Sequence, residues 1–244
     1  MAIPMLRIVE AETLDHLAPD DPAAERSRRD LRRVNAFMGA RSILATAMRL
    51  ALPHGAPAGR PLRLLEIGCG DGRLLHGVAG QMRSDWPEVE LTLLDRQPIV
   101  EPATIVSYAQ LGWQAKPLVA DVLAWAEAKD AGPGFDLVVT NLFLHHFEPP
   151  QLVRLLAAIA ARSGGLVACE PRRGRLALAA SYLVVVLGAN AVTREDAVLS
   201  VRAGFTGHEL TDLWPRDAGW AFREHAAGLF SHLFTATHDA SGAR

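Results

Sequence analysis

Between Pro61 and Glu170 this chain alternates short apolar runs with helical stretches, and that rhythm constrains the fold more than any other feature. The runs Leu62–Ile67, Leu91–Asp95, Gln114–Ala120, Phe135–Thr140 and Gly165–Glu170 read as strands. Arg73–Met82, Ile99–Leu111, Val122–Lys129 and Pro150–Ala161 read as the helices between them. Strands separated by helices at this interval build parallel βαβ units. Runs this continuously apolar are expected where helices cover both faces of the sheet. Such a sheet offers its ligand site at the carboxyl ends of the strands, where the strand order switches.

Those ends carry a distinctive chemistry. The first strand runs into Leu64-Leu65-Glu66-Ile67-Gly68-Cys69-Gly70-Asp71-Gly72, with glycines that let the backbone turn sharply and approach a ligand before a helix begins. A bare GxGxG is a weak signal that also describes a tight strand-to-helix turn. Here a carboxylate, Glu66, closes the strand, which disfavours a pyrophosphate and suits a cationic or hydroxyl-bearing ligand. The spacing also departs from the dinucleotide fingerprint, which has two residues before its third glycine. Asp95 ends the second strand, placed to accept hydrogen bonds from ribose hydroxyls, and Asp121 ends the third, beside Val122. Each acid alone also reads as a helix N-cap. Three at the tips of consecutive strands are hard to explain as caps alone.

These residues resemble the class I S-adenosylmethionine-dependent methyltransferases, over roughly Pro61 to Glu170. The resemblance implies an α/β fold: a Rossmann-like sheet with helices on both faces, an N-terminal helical cap over residues 1–60, and a domain over 61–244 with a helical lid insertion at 172–204. It implies S-adenosylmethionine as cofactor, leaving as S-adenosylhomocysteine. The residues it assigns to that cofactor are Glu66, Gly68, Cys69, Gly70, Asp71, Gly72, Asp95, Arg96, Asp121, Val122, Asn141 and Leu142. Phe135-Asp136-Leu137-Val138-Val139-Thr140-Asn141 resembles the motif whose end lies beside the sulfonium. The segment Arg33-Val34-Asn35-Ala36-Phe37-Met38-Gly39, the run Leu142-Phe143-Leu144-His145-His146 and the tail Val192–Thr206 are similar to bacterial small-molecule methyltransferases of secondary metabolism. Glu170-Pro171 departs from the ending expected after the fifth strand, and its role stays open.

Methyl transfer is an in-line displacement, so an enzyme's main task is to position the acceptor. A phenolic acceptor must also lose a proton, and His145 or His146, coming straight off the fourth strand, can serve as that base. Either can equally be packing or a backbone anchor. Phe37, Met38 and Arg41 are candidates for the substrate wall. Cys69 reads as a structural thiol. The expected activity is O-methylation of a phenolic or polyketide-like molecule. C-methylation of an activated ring, a non-catalytic regulatory subunit and a rearrangement that leaves the cofactor unconsumed are the alternatives.

The flanks add less. Asp20-Asp21-Pro22 opens a helix whose apolar positions, Leu31, Val34, Met38, Ala45, Met48 and Leu52, recur at helical spacing, with Gly39 as a break. Pro53, Gly55, Pro57, Gly59 and Pro61 end that region. The cluster Arg26-Ser27-Arg28-Arg29-Asp30-Leu31-Arg32-Arg33 could bind an anion or be the solvated face of that helix. Leu176–Val192 is free of charge for 17 residues, at the short limit for a membrane span and interrupted by Ser181, Tyr182, Gly188 and Asn190, so a lid helix is expected. Thr206 and Glu209 suggest a capping box opening a helix through Leu213, and Trp220–His225 with Leu229–Thr237 a closing hairpin.

Composition excludes some partners. With 25 Lys+Arg against 27 Asp+Glu and a net charge of −2, no basic field for nucleic acid exists. The fourth strand ends in Asn141-Leu142-Phe143-Leu144, not in the Asn/Asp-Pro-Pro-aromatic motif of enzymes that methylate base amines. Two lone cysteines form neither a disulfide framework nor a zinc site, so no metal is expected and a reducing cytoplasm is. The N-terminus lacks the apolar stretch of a signal peptide. The partner expected is a hydrophobic small molecule, with neither nucleic acid nor stable membrane insertion, and the sequence leaves room for a homodimer.

Overall fold

The computed structural model describes residues 5–53, 55, 59–128, 134–182, 184–217 and 219–238. Seven strands form one sheet: β1 (Leu62–Ile67), β2 (Val89–Asp95), β3 (Trp113–Val119), β4 (Leu137–Asn141), β5 (Gly165–Pro171), β6 (Trp220–Ala227) and β7 (Ser231–His238). Their order is β3-β2-β1-β4-β5-β7-β6. The first five are parallel, and β7 runs antiparallel to both β5 and β6. The order reverses between β1 and β4, whose Ile67 and Thr140 are paired, while Ile67 also faces Leu94 of β2. The strand tips that carry Glu66, Asp95, Asn141 and Glu170 are therefore neighbours at one edge.

The helices are α1 (Pro22–Phe37), α2 (Ala40–Ala51), α3 (Arg73–Met82), α4 (Pro102–Ala109), α5 (Val122–Glu127), α6 (Pro149–Arg162), α7 (Arg175–Ser181), α8 (Ala191–Ala203) and α9 (Glu209–Leu213). Alternate strand residues serve opposite cores, as the two-residue pleat requires. Leu64, Leu93, Val139 and Val167 face Leu75, Met82 and Met48 on one side. Leu65, Leu94, Val138 and Ala168 face Leu152, Leu155, Ile159 and Trp214 on the other. This is the expected doubly covered Rossmann-like sheet. At its edge β3 carries Pro117, which an interior strand would exclude because it cannot donate to the ladder.

Several boundaries differ from the sequence reading. The N-terminal helix does break at Gly39, which takes φ +70, and Asp21 caps α1 by accepting from Ala23 N–H. On the N-terminal side of the division expected at residue 60, α2 packs Leu44, Ala47 and Met48 into the central core. Pro57, one of the residues that marked that division, lies outside the described residues, as does Lys129 at the end of the expected fifth helix.

The apolar stretch 176–192 is not one helix. α7 stops at Ser181, a 3₁₀ turn covers Val184–Leu187, and α8 starts afresh at Ala191. Gly188 at φ +77 turns the chain, and the Asn190 side chain accepts from Thr193 N–H as a new N-cap. Thr206 likewise does not open a helix. α9 begins at Glu209, whose carboxylate accepts the Thr206 N–H and also pairs with Arg173. No described helix is long and apolar enough to cross a membrane.

Candidate active site

The glycine turn after β1 is built by what surrounds it. Gly68 takes φ +69, and a Cβ there would stand 2.2 Å from the Phe143 ring, so only glycine admits both the turn and the packing. Gly70 N–H donates to Asp95 Oδ2 at 2.8 Å, while Asp95 Oδ1 accepts from Gln97 N–H at 2.9 Å. Asp95 thus ties the turn to the tip of β2. Asp121 caps α5 by accepting from Leu123 and Ala124, and its wall of the cavity is shared with Val122.

A cavity of about 390 Å³ lies over these tips. Of the cofactor residues proposed from sequence, Glu66, Gly68, Cys69, Gly70, Asp71, Asp95, Arg96, Asp121, Val122, Asn141 and Leu142 line it. Gly72 does not; it starts α3, and its carbonyl accepts from the Tyr108 hydroxyl at 2.7 Å. Glu66 is 4% exposed, and burial, with the charges of Asp71 and Asp95 adding to it, pushes its carboxyl well above the usual carboxylate range. Glu66 Oε2 and Asn141 Oδ1 are buried acceptors with no partner. Unpaired buried acceptors are costly, and an ammonium group in this cavity would satisfy both. The donor set therefore fits the amino-acid end of S-adenosylmethionine.

The turn after β4 passes through Leu142, a non-glycine residue at φ 51, into a 3₁₀ turn of Leu144–His146. Glu170, fully buried at the end of β5, holds it. Its carboxylate accepts from Phe143 N–H at 3.2 Å, Leu144 N–H at 3.0 Å and His145 Nδ1 at 2.8 Å. His145 Nε2 faces Glu12 Oε1 at 3.3 Å, and Ser200 donates its hydroxyl to that same oxygen. Burial alone would lower the His145 pKa, but hydrogen bonds to Glu12 and Glu170 and their charges outweigh it and raise it to about 9. Burial drives both carboxyls up, yet His145 holds Glu12 and Glu170 below the usual range. His145 is thus an imidazolium between two carboxylates at neutral pH. It has no lone pair with which to take a proton, so the base role considered for it does not fit its surroundings.

His146 is the opposite case. Burial, then the positive charge of His145 with its ring centroid 4.3 Å away, depresses its pKa, so it is neutral; its Nδ1 stands 3.3 Å from Asp15. Ligand atoms of Glu12, His145 and His146 lie within 4.8 Å of one another, a grouping that a cation could use. Within that grouping His145 bonds a carboxylate at each ring nitrogen, Glu170 at Nδ1 and Glu12 at Nε2.

A second cavity, of about 430 Å³, adjoins the first. Leu31, Val34 and Phe37 of α1, Met38 just after it, Ala177 and Ala180 of α7, Val201 of α8 and Phe230 form much of its apolar wall. Glu12, Leu14, Leu31, Leu142 and Ser200 line both cavities. Phe37 and Met38, two of the substrate-wall candidates, line this cavity. Arg41 does not: it packs against Gly77 of α3, because α2 turns away at Gly39. The arginine cluster divides, with Arg32 pairing with Asp71 at 2.7 Å over the first cavity and Arg33 pairing with Asp30.

The sequence reading missed the N-terminal strap. Arg7 donates to the carbonyls of Ala203, His145 and Phe147 and lies over the Phe205 ring. Asp196 of α8 accepts from Thr13 and Leu14 N–H, and Arg96 pairs with Asp15. These partners are up to 196 residues away in sequence, so no local pattern around Glu12 or Asp15 could have announced them.

Comparisons with known proteins agree with this geometry. Residues 65–167 match the family described as methyltransferase domain. Ribosomal RNA large subunit methyltransferase G of Stutzerimonas stutzeri is 31% identical over 156 residues, covering 59% of this chain and 38% of that protein. The fold is similar to that of the pyocyanin biosynthetic protein PhzM, with a TM-score of 0.55 and 19% identity over 90% of this chain and 59% of that one. It is also similar to human N-acetylserotonin methyltransferase in complex with SAM, with a TM-score of 0.54 and 20% identity over 94% of this chain and 60% of that one. The chain thus spans well under two thirds of the length of each of these proteins.

Proposed function

We propose that this chain, which carries a methyltransferase domain on a class I fold, methylates a hydroxyl of a hydrophobic small molecule, of phenolic or polyketide-like type, in secondary metabolism. The observation that carries the reading is the apolar cavity beside the strand tips, joined to the polar cavity through a shared wall. S-adenosylmethionine, when bound, supplies a methyl group on a sulfonium. Glu66 and Asn141 would hold its ammonium group, Asp95 its ribose hydroxyls, and Asp121 with Val122 its adenine. The apolar wall orients the acceptor and keeps water out, which is most of what such a displacement requires. Glu12 as a carboxylate and His146 as a neutral imidazole can each receive a proton there at neutral pH.

Similarity supports the acceptor class, since the mitomycin 7-O-methyltransferase MmcR shares the fold with a TM-score of 0.53. Methylation at ring carbon is the rival within the same pocket. A ribosomal RNA acceptor has the 31% identical relative in its favour. The net charge of −2 and the apolar second cavity weigh against it. A cytoplasmic location fits two buried, unpaired cysteines, and a homodimer is open.

Calorimetry of S-adenosylmethionine and S-adenosylhomocysteine on the wild type and Asp95→Ala tests the cofactor half. Micromolar binding weakened at least about tenfold by the substitution is expected. A folded wild type that binds neither ligand would overturn the reading in favour of a non-catalytic partner protein. Mass-spectrometric screening of phenols then tests the acceptor half, and salt-dependent RNA binding with methylation of RNA would overturn it.

A further inference from the structure

The geometry points to Glu12 as the residue that recognises the acceptor, its free Oε2 taking the hydrogen bond of a neutral hydroxyl at the inner end of the apolar cavity. This rests on the proposed methyl transfer and adds to it both a residue and a class of acceptor: uncharged, apolar over most of its body, with an O–H donor at one end.

The polar groups around that cavity are otherwise occupied by one another. Ser27 and Thr193 share a hydrogen bond of 2.8 Å, the Ser181 hydroxyl donates to Leu178 O, and the Asp196 oxygens accept from Thr13 and Leu14 N–H. Ser200 donates to Glu12 Oε1, and His145 Nε2 faces that same oxygen. Among the described residues, both side-chain hydrogen bonds of Glu12 run through Oε1, which leaves Oε2 as the carboxylate oxygen of this lining without a partner. Glu12 also stands on the wall common to both cavities, where an acceptor's reacting oxygen has to sit.

The carboxylate is held in place. His145 fixes it from below and is itself fixed by Glu170, so the unit of two carboxylates and one imidazolium keeps one net negative charge. That charge faces a cavity whose described lining contains no arginine, lysine or histidine, while Asp196 adds a second carboxyl. Along the apolar cavity an anionic acceptor meets like charge and desolvation, whereas a neutral hydroxyl meets a hydrogen-bond acceptor. With S-adenosylmethionine bound, the hydroxyl proton would pass to Glu12 Oε2 as the acceptor oxygen takes the methyl carbon from sulfur; the carbon–sulfur bond would break, S-adenosylhomocysteine would be the leaving group, and the unit would become neutral.

The test is equilibrium binding of 2-naphthol, 2-methoxynaphthalene and 1-naphthoate to the full chain, with and without S-adenosylhomocysteine. The proteins are wild type, Glu12→Ala, Glu12→Gln and His146→Asn. Wild type is expected to prefer 2-naphthol over its methyl ether by about tenfold or more, the worth of a hydrogen bond to a charged group. Glu12→Ala is expected to erase that preference, and Glu12→Gln to improve 1-naphthoate binding about tenfold by removing a like charge. A gain of binding cannot come from a damaged fold. His146→Asn should leave the naphthol preference in place. Absence of 2-naphthol binding by wild type, a preference that survives Glu12→Ala, or one that collapses only in His146→Asn would overturn the proposal. Failure of the methyl-transfer reading shows separately, as a wild type that binds 2-naphthol but not S-adenosylhomocysteine.

Discussion

Glu170, at the end of β5, is 2.8 Å from His145 Nδ1 and binds three consecutive backbone N–H groups of the turn that presents that histidine. One side chain therefore positions both the imidazolium and the backbone of the β4 tip. Replacing it by alanine should leave a buried imidazolium with one partner and three N–H groups with none. A loss of about 3–5 kcal/mol is expected from breaking a buried pair on one side. Urea denaturation of Glu170→Ala beside wild type measures it, and a loss below about 1 kcal/mol would mean that the turn is held elsewhere.

His145 also predicts a pH dependence. Its pKa rises from 6.5 unfolded to about 9 folded, so above 6.5 the folded state keeps a proton that the unfolded chain has released. The stabilisation from its carboxylate partners is complete below 6.5 and is lost as pH climbs through about 9. The loss is on the order of 3 kcal/mol at most. Denaturation midpoints should fall across that interval in wild type, and the fall should be shallower in His145→Gln. Parallel curves would show that His145 is neutral in the folded protein.

The strap makes a third prediction. Arg7 gives three hydrogen bonds to carbonyls of the β4 tip and the end of α8, and Asp196 grips Thr13 and Leu14. Arg7→Ala should cost about 2–4 kcal/mol, given hydrogen bonds to a charged group. It should also make residues 5–20 cleavable by protease while leaving cleavage elsewhere as in wild type. Limited proteolysis followed by mass spectrometry reads this directly. Cleavage no faster than in wild type would show that the strap is held without Arg7.

What could be read from the chain depended on distance along it. Strands β1 to β5 and their helices follow from hydrophobic period, and the acids Glu66, Asp95 and Asp121 from their place at strand ends. The glycines announce a turn because no other residue takes it. Glu12 and Asp15 sit in a stretch with no apolar rhythm, and their meaning comes only when the strap crosses the strand tips to reach His145 and His146. Glu170 was visible as an oddity without a role for the same reason: its partners lie 25 to 27 residues back, on another loop. Ser181, Gly188 and Asn190 stood out in Leu176–Val192 as interruptions, but an uncharged apolar run does not say at which of them a helix ends.

The contrast between two glycines of the same turn separates backbone strain from packing. Gly70 takes φ +55, but a Cβ there would meet nothing within 4 Å, so Gly70→Ala should cost only the left-handed conformation, about 1 kcal/mol. Gly68 takes φ +69 and would drive its Cβ into the Phe143 ring. Phe143 belongs to the turn held by Glu170 and lines the first cavity, so displacing it moves the wall as well as straining the backbone. Gly68→Ala should therefore cost about 1–3 kcal/mol beyond the strain, from overpacking, and weaken S-adenosylhomocysteine binding more than tenfold. Thermal melts and calorimetry on the two variants check this. Equal effects at the two positions would mean that Phe143 yields freely, and that the glycine at 68 serves the turn alone.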